Sequence, residues 1–500
     1  MNLQSSELPR IWWSEPTPAL EQDCACAAEV AAPTIRQSDL AANSYTDCAC
    51  PDAGFVTNHI SDHADRQLWQ IAPGVYSAPL PGHHSLFFHP LRGAGVVVLN
   101  QPARAILEQY RQPRPLDADP LAPRLAALHL LQPAAADLRP KWPPPTALTA
   151  WLHLTAACNL RCSYCYAPRS RAHMDEATGR AAIHALVASA RRHGMSALKL
   201  KYAGGEPTLR FELVQRLHDV AARAAAADHL SLQEVLLSNG ILLTPPRLAF
   251  LREAGIRLMI SLDGLGAEHD AQRPFADGRG SSARVRDGIE RALAAGVAPH
   301  LSITITSATV DAVGDVVDFA LERGLTFNLN FYRLPDDGGP DLRAESARLI
   351  ASLRAVLHRI EARPDARVPL LSLLDRADFS VPHRHACGVG SNYVVVDPQG
   401  RIALCHMLLG RAVGDVFVDD VLDQARGDRQ TLPNLPVDER ADCRACPWRY
   451  ACAGGCPLLT WRTTQSWDGR SPYCDVYRAV FPDLLRLEGL RLLNTPGVAA

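Results

Sequence analysis

Short apolar runs recur between Leu148 and Leu334: Leu198 to Tyr202, Val235 to Leu237, Leu258 to Leu262, Leu301 to Ile305 and Leu325 to Phe331. Gly194, Gly255, Gly296 and Gly324 stand shortly before four of them, where a glycine ends the preceding helix. The stretch before Gly194 carries Ile183, Leu186, Val187 and Ala190, the i, i+3, i+4, i+7 stripe of a helix packed on a sheet. With Trp151 to Thr155 as the first strand, six strand–helix units follow one another. The fold class is therefore α/β: a parallel sheet, open or rolled into a partial (β/α)6 TIM-type barrel. In such folds the chemistry sits at the strand C-termini.

The chain has 14 cysteines, at 24, 26, 48, 50, then 158, 162, 165, then 387, 405, 443, 446, 452, 456 and 474. Long cysteine-free stretches separate the three groups. The N-terminus lacks the basic start and apolar run of a signal peptide, and no apolar stretch reaches the roughly 20 residues that span a bilayer. The expectation is a soluble, cytoplasmic protein without a membrane partner. In reducing cytosol, dense cysteine spacing points to metal or redox chemistry more than to disulfides. The 51 basic and 53 acidic residues nearly cancel, so no nucleic-acid partner is expected.

Directly after the first strand comes Cys158-x3-Cys162-x2-Cys165. Three thiolates on one loop can hold three irons of a four-iron cube and leave the fourth open for chemistry. They can also form a zinc site completed by a distant ligand. After the second strand stands Gly204-Gly205-Glu206-Pro207, either a helix-initiating turn or a bare-backbone approach to a ligand. Ser238-Asn239-Gly240 and Ser261-Leu262-Asp263-Gly264 end the third and fourth strands, and Arg273 follows Ser261 by 12 positions.

Over roughly 148 to 334 these motifs resemble the radical S-adenosylmethionine (SAM) superfamily. The resemblance implies a catalytic 4Fe–4S cluster on Cys158, Cys162 and Cys165, with Tyr164 as the aromatic residue before the third cysteine. It implies SAM contacts at Gly204, Gly205 and Glu206 (the methionyl amine), at Ser238 and Asn239, and at Ser261 and Arg273 (the carboxylate). A guanidinium fork suits a carboxylate. The activity implied is reductive cleavage of SAM to a 5′-deoxyadenosyl radical that abstracts hydrogen from an unactivated carbon.

The last cysteines read Cys387-x12-Gly400-x4-Cys405, Cys443-x2-Cys446-x5-Cys452-x3-Cys456, then Cys474. This order is similar to the SPASM domain of peptide- and protein-modifying radical SAM enzymes. The resemblance places Cys443, Cys446, Cys452 and Cys474 on one auxiliary 4Fe–4S cluster. It places Cys387, Cys405 and Cys456 on a second, whose fourth ligand is unassigned. Sulfatase-maturing members carry an aspartate, proposed to take a proton from substrate, where this chain has His406. A neutral imidazole can take a proton too, so His406 is a candidate catalytic residue, with cluster ligation or packing as its other readings.

Residues 1–65 read as a flexible tail in which Asp-Cys-Ala-Cys occurs twice, at 23–26 and 47–50. Residues 66–145 combine three short strands, a helix capped by Asn100, a second helix over Arg124 to Leu131, and the stiff linker Lys141-Trp142-Pro143-Pro144-Pro145. This small α+β module looks like the winged-helix element that binds leader peptides in ribosomal peptide maturation. The expected layout continues with the radical SAM core at 146–340, a helical bridge at 341–385, the SPASM region at 386–476, and a helix and tail at 477–500. Expected partners are a precursor peptide and a reducing donor such as a flavodoxin or ferredoxin. The expected function is oxidative modification or crosslinking of a ribosomally made peptide. Sulfatase-type maturation and a non-catalytic Fe–S or zinc scaffold are the alternatives.

Overall fold

The computed structural model describes residues 8–14, the backbone of 35–39, and residues 67–91, 95–136, 140, 142–335, 339–366 and 368–494. Cys24, Cys26, Cys48 and Cys50 lie outside the described residues.

The N-terminal strands are β1 (Arg10–Ser14), β2 (Ile35–Asp39), β3 (Leu68–Ile71), β4 (Tyr76–Leu80), β5 (His84–Phe88), β6 (Val96–Leu99), β7 (Arg114–Pro115) and β8 (Leu131–Pro133). Five of them form one sheet in the order β2-β1-β6-β5-β4, and β7-β3-β8 form another. The helices here are α1 (Gln101–Gln109) and α2 (Ala122–Ala127). Asn100 caps α1: its Oδ1 accepts from the Ala103 amide at 3.1 Å and from the Arg10 amide at 2.9 Å, tying β1 to the helix. Such a cap contributes about 1 kcal/mol.

Two expectations fail in this region. The first 65 residues are not tail throughout, because β1 buries Ile11, Trp12, Trp13 and Ser14. Ile11 and Trp13 pack with α1 and α2, whereas Trp12 packs on the opposite face with Leu86, Phe88 and Val98. A strand buried on both faces shows no polar–apolar alternation, so Arg-Ile-Trp-Trp-Ser gives no strand signal. The second helix also ends earlier than expected. It stops at Ala127, His129 turns the chain at φ +58°, and Leu131 already belongs to β8.

The core strands are β9 (Ala147–His153), β10 (Ala197–Ala203), β11 (Ser231–Ser238), β12 (Arg257–Ser261), β13 (His300–Ile305) and β14 (Phe327–Phe331). All neighbouring pairs among them are parallel. Between them run α3 (Glu176–Arg192), α4 (Phe211–Ala227), α5 (Pro245–Glu253), α6 (Ala267–Gln272), α7 (Ser282–Ala294) and α8 (Val313–Glu322). The four expected helix-ending glycines all have positive φ. In α3 the expected stripe of Ile183, Leu186, Val187 and Ala190 is buried.

Beyond α9 (Ser346–Glu361), the C-terminal region joins the core rather than standing apart. Strand β15 (Tyr393–Val396) pairs in parallel with the free edge of β9, and β16 (Arg401–Ala403) and β17 (Ala412–Asp415) extend the sheet antiparallel to nine strands. An open β9 edge would leave backbone donors and acceptors unpaired. The remaining helices are α10 (Val421–Gly427), α11 (Arg449–Cys452), α12 (Pro457–Thr464) and α13 (Cys474–Asn494). Helix α13 crosses the N-terminal sheet so closely that a Cβ on Gly489 would lie 3.0 Å from Leu80. Phe379 meets Phe88, Trp448 and Phe481 edge-on, and Trp448 meets Phe481 edge-on, at 4.7–6.3 Å around the junction. The two ends of the chain thus share one core.

Candidate active site

The loop after β9 carries Cys158, Cys162 and Cys165, and all three line one cavity of about 550 Å³ at the C-terminal ends of the strands. The turn after β10 fixes this loop from behind. The Gly205 amide donates to Thr155 O at 2.7 Å and the Glu206 amide to Ala157 O at 2.9 Å. A Cβ on Gly204, whose φ is +147°, would meet Thr155 O at 2.4 Å. One on Gly205 would meet Ala157 O at 2.3 Å. Only bare backbone fits between the turn and the cysteine loop.

Glu206 is buried and already holds four donors. Its Oε1 accepts from the Thr208 amide (3.1 Å), Thr208 Oγ1 (2.5 Å) and Ser238 Oγ (2.9 Å), and its Oε2 from the Asn239 amide (2.8 Å). Burial pushes this carboxyl up, and those hydrogen bonds act against it. Glu206 thus locks the β10 turn to the end of β11, with capacity left on Oε2 for one more donor. Asn239 continues the chain of contacts, donating from Nδ2 to Asn159 Oδ1 at 2.7 Å beside Cys158.

On the far wall, Arg273 and Tyr164 meet over Asp263. Tyr164 Oη donates to Asp263 Oδ2 at 2.8 Å, Gln272 Nε2 donates to the same oxygen at 2.9 Å, and Arg273 Nη1 contacts both Tyr164 Oη and Asp263. The Thr304 amide donates to Asp263 Oδ1 at 2.8 Å, anchoring the network to β13. Arg273 is buried and lines the cavity, and its Nε has no hydrogen-bond partner. His269 is a packing group: its Nδ1 accepts from the Asp263 amide at 3.3 Å and its Nε2 meets Ser281 Oγ at 3.1 Å. Asp270 caps α7 by accepting from the Ser282 amide at 2.7 Å.

His406 joins the same cavity from the C-terminal region. Its ring lies parallel to Trp151 at 4.6 Å, edge-on to Tyr166 at 4.7 Å, and its Nδ1 is 3.2 Å from Tyr393 Oη. Burial, with the nearby His406 adding to it, drops His153 to about 3, so that ring stays neutral. Burial also pushes Cys158 up and Cys162 up to about 12; at Cys162 the Arg273 guanidinium acts against it. Thiols held this way bind metal only by losing protons to it.

A second cavity, of about 400 Å³, is lined by Cys443, Cys446, Cys452 and Cys474, together with Arg449, Arg470 and Arg478. Burial raises the Cys443 and Cys474 thiols and pushes Cys452 up to about 12. Cys387, Cys405 and Cys456 are buried. Asn434 Nδ2 donates to Cys387 O at 2.9 Å, and the Met407 amide donates to Cys405 Sγ at 3.4 Å.

The structure brings together Cys158, Cys162, Tyr164, Cys165, Gly204, Gly205, Glu206, Ser238, Asn239, Ser261, Arg273 and His406 around one space. Sequence reasoning gave no role to Asp263, Gln272, Trp151 or Tyr166. Asp263 had a signal, a carboxylate at the end of a strand beside Ser261, whereas Trp151 was visible only as part of β9.

Comparison with known proteins agrees with this geometry. Residues 152–320 match the model of the radical SAM superfamily. The chain is 28% identical over 358 residues to the AdoMet-dependent heme synthase of Methanosarcina barkeri, covering 66% of this chain and 96% of that one. It is 26% identical over 355 residues to the PqqA peptide cyclase of Gluconobacter oxydans, covering 67% and 91%. Among solved structures, native anSMEcpe with bound AdoMet superposes with a TM-score of 0.57 at 18% identity, over 69% of this chain and 100% of that one.

Proposed function

From the premise that residues 152–320 are a radical SAM domain and the chain a radical SAM enzyme, we propose that it oxidatively modifies or crosslinks a ribosomally made peptide. A 4Fe–4S cluster and SAM are the cofactors of that family. The observation that carries the reading is the single cavity into which three loop thiols, the Gly204–Glu206 turn, Arg273 and His406 converge.

The residues fit both cofactors. Three thiols on one loop supply three ligands and leave one iron position open. The buried, unpartnered Arg273 Nε on the same cavity suits a ligand carboxylate. When bound, these groups supply a 5′-deoxyadenosyl radical that takes a hydrogen atom from the substrate. The protein's part is positioning. Gly204 and Gly205 let the turn press against the cysteine loop, and Asp263 holds Tyr164 and Arg273 in place. Trp151 and Tyr166 fix the His406 ring. On that cavity, the His406 imidazole is the proposed acceptor of a substrate proton.

The cysteines around the second cavity are the proposed ligands of one auxiliary cluster, and Cys387, Cys405 and Cys456 of another. Such clusters would accept the electron released when substrate closes a bond. A reduced flavodoxin- or ferredoxin-type donor would deliver electrons in reducing cytoplasm. The N-terminal module is the proposed leader-binding element, supported by β4, which stands at an edge of its sheet where an added strand can pair. On this reading 146–340 is the catalytic core and 386–476 the auxiliary-cluster region.

The heme synthase relative favours a second reading, in which the substrate is a small organic molecule. Peptides encoded by short reading frames beside this gene, incubated anaerobically with the reconstituted protein, SAM and dithionite, separate the two. A SAM-dependent mass change in one of them supports peptide modification. Unchanged peptides, with 5′-deoxyadenosine accumulating only when a small-molecule fraction is added, overturn it.

A further inference from the structure

Arg440 is among the largest fully buried side chains, at 2% exposure. It sits on the turn that presents the C-terminal thiols, and its backbone oxygen accepts from the Cys443 amide at 3.0 Å and the Arg444 amide at 2.9 Å. Its guanidinium finds only neutral oxygens. Nη1 donates to Ala453 O at 3.4 Å, Nη2 donates to Thr460 Oγ1 at 3.4 Å and to Gly469 O, and Nε has no partner. Among the described residues no carboxylate lies in ion-pair range of it. The buried guanidinium of Arg273, by contrast, faces Asp263. A cation buried without an anion is costly, and the described residues offer Arg440 none.

The missing negative charge has a place. Gly454 lines the cavity of Cys443, Cys446, Cys452 and Cys474, and a Cβ on it would fall 2.2 Å from Arg440 Nη1. The guanidinium therefore lies directly behind the cavity wall, and glycine at 454 permits that approach. Four thiolates make an iron–sulfur cluster net negative, and each reduction adds a further negative charge.

We propose that Arg440 is the buried counter-charge of the cluster held by Cys443, Cys446, Cys452 and Cys474, and that it raises that cluster's reduction potential by favouring the more negative, reduced form. The inference rests on the auxiliary-cluster reading above. Net charge and nearby donors are established levers on such potentials. The redox step is simple: the cluster gains one electron from an external reductant, and no proton or bond moves at Arg440.

The test is an anaerobic redox titration, followed by electron paramagnetic resonance, of the reconstituted full chain and of Arg440→Lys and Arg440→Met. A variant with Cys443, Cys446, Cys452 and Cys474 all changed to Ser identifies the signal belonging to this cluster. Arg440→Met should shift that signal to lower potential, while Arg440→Lys, which keeps the charge, should stay near the wild-type value. An unshifted Arg440→Met, or an Arg440→Lys shifted as far as Arg440→Met, overturns the proposal. Where Arg440→Met fails to hold the cluster, Arg440→Lys decides: retention supports the charge, and loss shows that guanidinium shape alone matters. A four-serine variant that keeps all its iron and every signal sinks the auxiliary-cluster reading itself, a separate failure.

Discussion

Changing Gly205 to Ala perturbs the cysteine loop through a single methyl group. The added Cβ would sit 2.3 Å from Ala157 O and 2.6 Å from Ala157 C, against 3.4 Å or more for ordinary contact. Both obstacles are backbone, so no rotamer change relieves them. The turn and the loop must part by about 1 Å, and the loop begins the segment that carries Cys158. Overpacking of this kind costs about 1–3 kcal/mol of stability, and a displacement of about 1 Å at reacting groups can cost roughly 100-fold in rate. Gly266→Ala is the control, since nothing lies within 4 Å of its added Cβ. Both variants are compared with wild type by thermal unfolding, iron content after anaerobic reconstitution, and 5′-deoxyadenosine formation. Gly205→Ala should lose iron from the loop site and most SAM cleavage, and Gly266→Ala neither. A Gly205→Ala protein with wild-type iron and wild-type turnover would refute the account of why this turn lacks side chains.

Changing Cys158, Cys162 and Cys165 together to Ala should remove about a third of the roughly 12 irons expected for three four-iron clusters, read by iron analysis. Asp263→Asn leaves Arg273 without its buried anion, a loss of about 3–5 kcal/mol in such pairs; SAM affinity, measured by calorimetry, should fall at least tenfold. The Glu234 carboxylate, 2.6 Å from His218 Nδ1, raises that imidazole above its usual 6.5. The pair's stabilisation is therefore complete below pH 6.5 and lost as pH climbs through the raised value, so the stability gap between wild type and His218→Gln should narrow with rising pH in chemical denaturation. Removing residues 1–140 uncovers the face of α13 that packs on Leu80, Leu86 and Val98, so the shortened chain should aggregate more than the full one by light scattering.

The parallel core was legible because four of its strands follow a helix ended by a glycine, and the helix before Gly194 carries the apolar stripe Ile183, Leu186, Val187 and Ala190. Strand β1 was not, because its two tryptophans face two different cores. The pairing of Tyr393–Val396 with β9 was equally hidden, since strand partners distant in sequence leave no local pattern. Within the site, cysteine spacing and the Gly-Gly-Glu turn pointed to residues that the structure gathers around one cavity. Asp263 escaped because its task, holding Tyr164 and Arg273, depends on three strand ends meeting in space. The glycines carried a second meaning as well: besides any ligand, they accommodate Thr155 O and Ala157 O of the cysteine loop.

The central claim is that Cys158, Cys162 and Cys165 hold the group that cleaves SAM. Its most direct test is 5′-deoxyadenosine measured by mass spectrometry after anaerobic incubation of the reconstituted protein with SAM and dithionite. The wild-type chain should produce it, and the chain with all three cysteines changed to Ala should produce none while keeping its remaining iron. Equal production by both, or none from a fully iron-loaded wild type, would contradict the account.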